Sequence, residues 1–440
     1  MDQMYRHLPK FGWEVVIGFA EGRQFHNPEA YRRVYPELKG IDIDGRDGTS
    51  EGRVTAVKRA IRKVNPKVVI PLLLVDANMA ITELKHQGSH IRHLYTYQGT
   101  HDWNIAEPER YSQFIDMCCG CNVLATETLL ERGSIPEERL ASVPNGVPSG
   151  PKPAKRPLNK NVLQLAYAGR IEHPDKRVFD IPRILDVLDR EGVPYHLSIA
   201  GSGPQDVQLK KMLAEHMEKG KVTHLGRLMV DELYDRFYSK TDILLFPSPW
   251  EGWPLVVGEA ISAGVIPAAA AFRGSAKEQV LIPDYNAIMY QVGDPVSAGR
   301  KIAELARHPD RLNQLSLRAF ETSQQYSWER CAERWSDVIE RTLSLPPVRG
   351  KTLPQRGSVT RSRFSRLGVP LHTQMVLRRL LGRQVNHSSS RAEWPQRDED
   401  FSTDELQQIE ADLLRIEQQA ISCWPAPYCN IRSLTRVESQ

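Results

Sequence analysis

The chain lacks several features that would have placed it in a class at once. Six cysteines among 440 residues are too few for a disulfide framework, which points to a reducing, cytoplasmic compartment. No uninterrupted apolar run approaches the ~20 residues that a membrane-spanning helix needs. Met1 leads into a polar, charged segment and not an apolar h-region, so no secretory leader is expected. The net charge of +4 is too small to imply a nucleic-acid partner. No short-period repeat is visible, which argues against a solenoid. What is present is ordinary soluble material, 40% hydrophobic and 25% charged. That suffices for buried cores and excludes wholesale disorder. By length, roughly two to four domains are expected.

Charge is spread unevenly. Residues Pro347 to Arg397 carry 11 Lys/Arg against the single acid Glu393. Residues Asp398 to Glu417 carry eight acids against the single base Arg415. The body up to residue 346 is neutral, with 44 bases and 44 acids, so a boundary falls near Leu345-Pro346-Pro347.

Short apolar runs alternate with amphipathic stretches through residue 343. In the first half, strands are expected at Glu14–Phe19, Val68–Leu72, Ile91–Tyr97, Asn122–Ala125 and Ala141–Val143, with helices such as Gly52–Lys63 and Ala77–His86 between them. In the second half, strands are expected at Val162–Ala168, Tyr195–Ala200, Val222–Leu225, Ile243–Phe246, Val265–Ala269 and Ile288–Gln291. Helices fill the gaps, including Asp206–Glu218, Leu255–Ala263 and Trp328–Leu343. This spacing reads as βαβ units and a parallel sheet, twice over. The stretch PSGPKPAKRP (Pro148–Pro157) has linker composition. The expected organisation is a Rossmann-like domain at 1–148, a linker at 149–160, a second Rossmann-like domain at 161–326, a helix at 327–345 packing back toward the first domain, and a tail at 346–440 of helical and disordered character.

Three corners where a strand meets a loop carry chemistry. In AYAGRIEHPDKR (Ala166–Arg177), Gly169 permits close backbone approach, and Arg170 and Lys176 add two cations. A planar guanidinium and a mobile ammonium together suit a diphosphate; a solvated basic loop is the plainer alternative. In IAGSGP (Ile199–Pro204), Gly201, Ser202 and Gly203 would let a ligand approach the backbone, or would simply make a tight turn. The third corner is ILLFPSPWEGWPLVVGEAISAGVIPAA (Ile243–Ala269). Glu251 and Gly252 lie in its loop, Pro254 suits the first turn of a helix, and that helix carries Glu259 and stops near Gly264. Glu259 sits among Leu255, Val256, Val257, Ala260 and Ile261, where a carboxylate needs a hydrogen-bonding partner.

These motifs resemble the donor half of the family-4 glycosyltransferases. Glu251 and Glu259 form the Glu-x7-Glu motif, Gly169-Arg170 and Lys176 the Gly-Arg…Lys pair, Ala200–Pro204 the Ala-Gly-x-Gly-Pro turn, and Pro247-Ser248 with Glu251-Gly252 the Pro-Ser…Glu-Gly stretch. Pro144–Val147 matches the interdomain Pro-Asn-Gly-Val, and His101-Asp102 the first-domain His element. The resemblance covers about residues 1–343. It implies an α/β chain of two facing Rossmann-like domains, the GT-B fold. It further implies a retaining transferase that moves a sugar from a nucleotide diphosphate sugar to a glycan or glycolipid in polysaccharide biosynthesis. Arg170 and Lys176 would hold the leaving diphosphate, Glu251 would face the sugar hydroxyls, Glu259 the ribose, and His101 the donor sugar from the first domain. Gly169, Gly201, Ser202, Gly203, Gly252, Trp253, Pro254 and Leu255 would complete the donor site. No Asp-x-Asp element occupies a matching corner, so a reaction with neither metal nor cofactor is expected. The family begins with a strand and a Gly-rich loop that have no counterpart here, so that strand and loop are expected to be missing. Arg273 and Glu278, in FRGSAKEQV (Phe272–Val280), occupy a donor-loop position and are candidates only.

Other features point elsewhere or nowhere. Cys118-Cys119-Gly120-Cys121 lacks metal-knuckle spacing and reads as buried thiols. Trp250 and Trp253 flank Glu251, and either a sugar contact or core packing fits them. In the tail, TQMVLRRLLGR (Thr373–Arg383) is a basic amphipathic stretch that suits peripheral contact with an anionic membrane on its inner face. It would equally suit pairing with the acidic stretch Thr403–Ala420, which carries Leu406, Ile409, Leu413 and Ile416 at helical spacing. A solvated, partly disordered tail is the third alternative. At the level of function, the competitors are an epimerase or phosphorylase on the same architecture, a truncated protein that only binds nucleotide sugar, and a tail-driven scaffold or nucleic-acid binder.

Overall fold

A computed structural model describes residues 2–149 and 162–354 apart from 23–25, 47–48, 73 and 230–231, then scattered positions between 369 and 382, and residues 401–432 apart from 427. Residues 150–160 of the expected linker, and residues 374, 375, 378, 379 and 383 of the basic stretch 373–383, fall outside the described residues. The chain divides into two compact units. The first comprises Met1–Gly120, Thr128–Val143 and Ala332–Ile409; the second comprises Cys121–Glu127, Pro144–Cys331 and Glu410–Gln440.

The first unit holds strands β1 (Ile17–Glu21) and β2 (Gly40–Asp44), paired in parallel as one two-stranded sheet. A second sheet runs β3 (Val68–Val69), β4 (Arg92–Tyr97), β5 (Met117–Gly120) and β6 (Leu140–Ser142), all parallel and in sequence order. The strand expected at Asn122–Ala125 does not form. Its apolar residues open a helix, Val123–Arg132, because the Asn122 side chain caps it by accepting from the Ala125 N–H at 2.8 Å. The strand lies just before it, in the cysteine run, where Cys118, Cys119 and Cys121 are buried and form no disulfide among the described residues.

A buried carboxylate ties this unit together. Asp116 is fully buried and pairs with Lys85 and Arg92, and it accepts from the His93 N–H at 2.7 Å and the Val348 N–H at 2.9 Å. Four donors on one carboxylate are what permit a charge in an apolar interior. Val348 lies beyond the compositional break at residue 346, so packing onto this unit continues past the point where composition changes. The helix Trp328–Ser344 contributes its residues from Ala332 onward to this unit, where Ser336 accepts from the Trp13 indole at 2.8 Å and Arg341 reaches the carbonyls of Glu138 and Leu140.

The second unit holds one six-stranded parallel sheet of β7 (Leu163–Ala168), β8 (Tyr195–Ala200), β9 (Val222–Gly226), β10 (Ile243–Phe246), β11 (Ile266–Ala270) and β12 (Ile288–Tyr290). Its order is β12-β11-β10-β7-β8-β9. Both faces are buried. Ile243 and Leu245 point into one apolar cluster with the helix Asp180–Arg190, and Leu244 and Phe246 into the other with the helix Leu255–Ser262. Continuous apolar strands are the expected consequence of a sheet covered on both sides. The helix expected at Asp206–Glu218 is broken into Asp206–Met212 and Ala214–Glu218.

The tail is not simply solvated. Residues Thr403–Ser422 form a helix whose Leu413, Ile416 and Ile421 are buried. Ile421, Tyr428 and Ile431 join the same apolar cluster as Phe272, Val280 and Leu281. The residues just after the acidic stretch, Ile421 onward, therefore pack in the second unit. Among the described residues, no helix is long and apolar enough to cross a membrane.

Candidate functional site

The sheet order of the second unit reverses direction between β7 and β10, which are direct neighbours. Loops leaving the carboxyl ends of two such strands diverge to opposite faces and leave a crevice, the usual ligand position in an open α/β sheet. Here they are the loop after β7, with Gly169, Arg170 and Lys176, and the loop after β10, with Ser248, Glu251 and Gly252. Two residue clusters far apart in sequence become one corner.

The two loops are bonded to each other. The Lys176 ammonium lies 2.5 Å from the Glu251 carboxylate, with side chains 21% and 14% exposed. The buried Ser248 hydroxyl donates to the Asp175 carbonyl at 3.3 Å. Arg170 differs from Lys176: its guanidinium is 55% exposed and pairs with Glu172 of its own loop. Its backbone carbonyl accepts from the Tyr167 hydroxyl at 2.6 Å, which fixes the turn.

The glycines of the second corner serve loop packing. Gly201 has φ +153°, and a Cβ there would lie 1.9 Å from the Gly169 carbonyl oxygen. A Cβ on Gly203 would lie 2.1 Å from the Ile171 carbonyl oxygen. The Ile171 N–H donates to Ser202 and the Gln205 N–H to Ile171, so the two loops run backbone against backbone. The room expected for a ligand at these two glycines is taken by residues 169–171, and Ser202 between them is left exposed.

In the third corner Pro254 stands just before the helix Leu255–Ser262, and its carbonyl accepts from the Val257 and Gly258 N–H groups at 3.0 Å. Leu255 is exposed, and Gly264 follows the helix at φ +72°. Glu259 finds the partner it requires, because the Tyr238 hydroxyl donates to it at 3.1 Å. Burial nevertheless pushes its carboxyl up to about 6, the Tyr238 bond opposing. Trp253 is a correction. It is buried, packs on Tyr326 at 5.4 Å between ring centroids, and lies over Gly258, so it belongs to the core and not to a ligand surface.

His101 belongs to the first unit, in the turn after β4, its ring stacked on Trp103 at 6.0 Å. The candidates Arg273 and Glu278 are both buried. Glu278 caps the start of the helix Val123–Arg132, accepting from the Val123 N–H at 2.6 Å, and burial pushes its carboxyl up to about 8 against that bond. Arg273 pairs with Glu410 of the tail helix, and Glu417 of the same helix accepts from the Gly274 N–H. The sequence reading missed these two acids. The only available signal was their seven-residue spacing, which places both on one helix face.

Residues 150–322 match the sequence model of the family glycosyl transferases group 1. An uncharacterized glycosyltransferase of Methanocaldococcus jannaschii is 28% identical over 153 residues, 34% of this chain and 41% of that protein. An uncharacterized glycosyltransferase of Haemophilus influenzae is 24% identical over 157 residues, 36% of this chain and 43% of that protein. The chain thus matches less than half the length of these relatives. Among solved structures, Anabaena HepE in complex with UDP superposes with TM-score 0.61 at 14% identity, over 77% of this chain and 94% of that one. The lipopolysaccharide outer core galactosyltransferase WaaB superposes with TM-score 0.56 at 17% identity, over 70% and 86%. At such identities the likeness shows a shared GT-B fold. Residues 150–322, which lie inside the Pro144–Cys331 part of the second unit, thus carry the match to group 1 glycosyl transferases, on a chain that shares the GT-B fold.

Proposed function

We propose that the protein is a glycosyltransferase that moves a sugar from a nucleotide diphosphate sugar to a glycan or glycolipid, with retention of configuration and without a metal. The observation that carries this is the Lys176–Glu251 pair at the strand-order reversal, 2.5 Å across two loops 75 residues apart. Breaking a sugar–phosphate bond leaves an oxocarbenium-like sugar and an anionic diphosphate. A protein-borne cation fixed at that point stabilises the anion as it forms. Lys176 serves as that cation, assisted by the more exposed Arg170. Glu251, held beside Lys176, accepts from the sugar hydroxyls, and Glu259 accepts from the ribose. The carboxylates do not act as the acid–base pair of a glycosidase, since both lie in one unit beside a departing phosphate.

UDP is the first nucleotide to try, because the fold neighbour HepE is described with UDP and with UDP and glucose. A thermal-shift screen of UDP, GDP, ADP and their sugars identifies the nucleotide, since a ligand preferring the native state raises the midpoint. Nucleotide release in the presence of an acceptor panel and EDTA then tests transfer, and the product's anomeric proton tests retention. Binding without release under any acceptor would overturn the enzyme reading in favour of a nucleotide-sugar binder. We place the reaction on the cytoplasmic side, with residues 373–383 resting on anionic lipid. Flotation with phosphatidylserine vesicles that high salt reverses is the expected result, and no flotation at low salt removes that part.

A further inference from the structure

The tail helix reaches the donor corner through a short chain of contacts. Glu410 grips both terminal nitrogens of the Arg273 guanidinium, one at 2.8 Å. That guanidinium lies over the Trp250 ring, 4.1 Å from its centroid. The Arg273 N–H donates to the Pro249 carbonyl at 3.0 Å, and Trp250 and Arg273 form a parallel β-bridge. Trp250 immediately precedes Glu251, which meets Lys176. Glu417 holds the adjacent Gly274 N–H from the same helix. Arg273 is 1% exposed, so it cannot itself touch a ligand from this position. A removable lid does not fit either, because Leu413, Ile416, Ile421, Tyr428 and Ile431 are all buried and lifting the helix would expose them together.

We propose that Glu410 and Arg273 are positioning residues of the donor corner: the tail helix orients Arg273, and Arg273 fixes Trp250 and with it the loop that presents Glu251. The proposal rests on the donor reading above. A guanidinium fork held flat by a bidentate carboxylate offers its face to an aromatic ring, which an ammonium in the same place does not. The tail, which lies outside the family match, thereby becomes part of the working site.

The test uses the full chain with Glu410→Gln and Arg273→Lys, and Glu410→Asp as the conservative control. Binding of UDP and of UDP-glucose is measured by calorimetry, and amide exchange at Trp250, Glu251 and Gly252 by mass spectrometry. Glu410→Gln and Arg273→Lys are expected to speed exchange at these three amides tenfold or more, with the β7 and β8 amides unchanged. UDP-glucose affinity falls at least tenfold while UDP affinity holds, and Glu410→Asp recovers most of both. Unchanged exchange at the loop overturns the proposal. So does exchange accelerated throughout the unit with both ligands weakened alike, which marks a merely structural pair. If the unaltered protein binds none of UDP, GDP, ADP and their sugars, the donor reading fails, and the loop exchange alone decides whether Glu410 and Arg273 position it.

Discussion

Replacing Lys176 by alanine separates the catalytic from the structural meaning of its ion pair. Two opposed unit charges about 4 Å apart at an effective dielectric of 20 attract by about 4 kcal/mol. Loss of one preorganised donor to a developing oxyanion typically costs roughly 2.7–4 kcal/mol. Both estimates agree on a fall in kcat/KM of roughly 100- to 1000-fold. Lys176→Ala also takes the cation away from Glu251, whose side chain is 14% exposed. Loss of a hydrogen bond to a charged group costs roughly 1.5–3 kcal/mol of stability. Adding Glu251→Gln removes the carboxylate charge that Lys176 balanced, so the double variant should regain melting temperature but no turnover. Nucleotide release under saturating acceptor and a melting curve on the same samples read the two effects separately. Near-unaltered turnover in Lys176→Ala, or turnover that recovers with stability in the double variant, would refute the role given to this ammonium. Arg170→Ala should be milder, near tenfold, because that guanidinium is 55% exposed and already paired with Glu172.

Glu259 titrates near 6 in the folded chain against an ordinary value of 4.5. The folded form therefore binds the proton more tightly, and this contribution to stability, about 2 kcal/mol, is present below pH 4.5 and is lost as pH rises through 6. Glu259→Gln should flatten that part of the stability–pH curve and weaken nucleotide binding; in the unaltered protein, nucleotide affinity should rise as pH passes 6. An identical pH dependence in both proteins would contradict the assignment. Gly201→Ala places a methyl 1.9 Å from a backbone oxygen at φ +153°. It should cost roughly 1–3 kcal/mol from backbone strain alone and reduce nucleotide affinity by displacing residues 169–171, as calorimetry would show. Asp116→Ala leaves Lys85 buried without its carboxylate and should destabilise the first unit by about 3–5 kcal/mol in urea; a loss below about 1 kcal/mol would show that Lys85 has another partner.

Much was legible before any coordinates. Every strand of the second unit lies within about a residue of its expected position, because a parallel strand buried on both faces must be apolar throughout and its flanking loops polar. Glu251 and Glu259 stood out because a carboxylate beside or inside an apolar helix needs a reason. The errors have equally local causes. Asn122–Ala125 is apolar and short, and only its capping asparagine distinguished a helix start from a strand. Strand β2 alternates Ile with Asp and was not expected at all, since it is too short and too charged to announce itself. Trp253 sits one residue from the donor loop, yet its side chain turns inward, and neighbouring residues in a loop share no fixed facing.

Local pattern by itself determined the α/β class, the positions of the second-unit strands and the motif residues, because burial and hydrogen bonding constrain each short segment whatever surrounds it. Only the tertiary structure decided which cations meet which acids. It paired Lys176 with Glu251 and left Arg170 to Glu172, closed the Gly201 turn with backbone where a ligand was expected, and brought Glu410 to Arg273 across 137 residues. Strand order fixes those meetings, and strand order is set by how helices cover a sheet, a property of the whole unit that no single stretch of sequence contains.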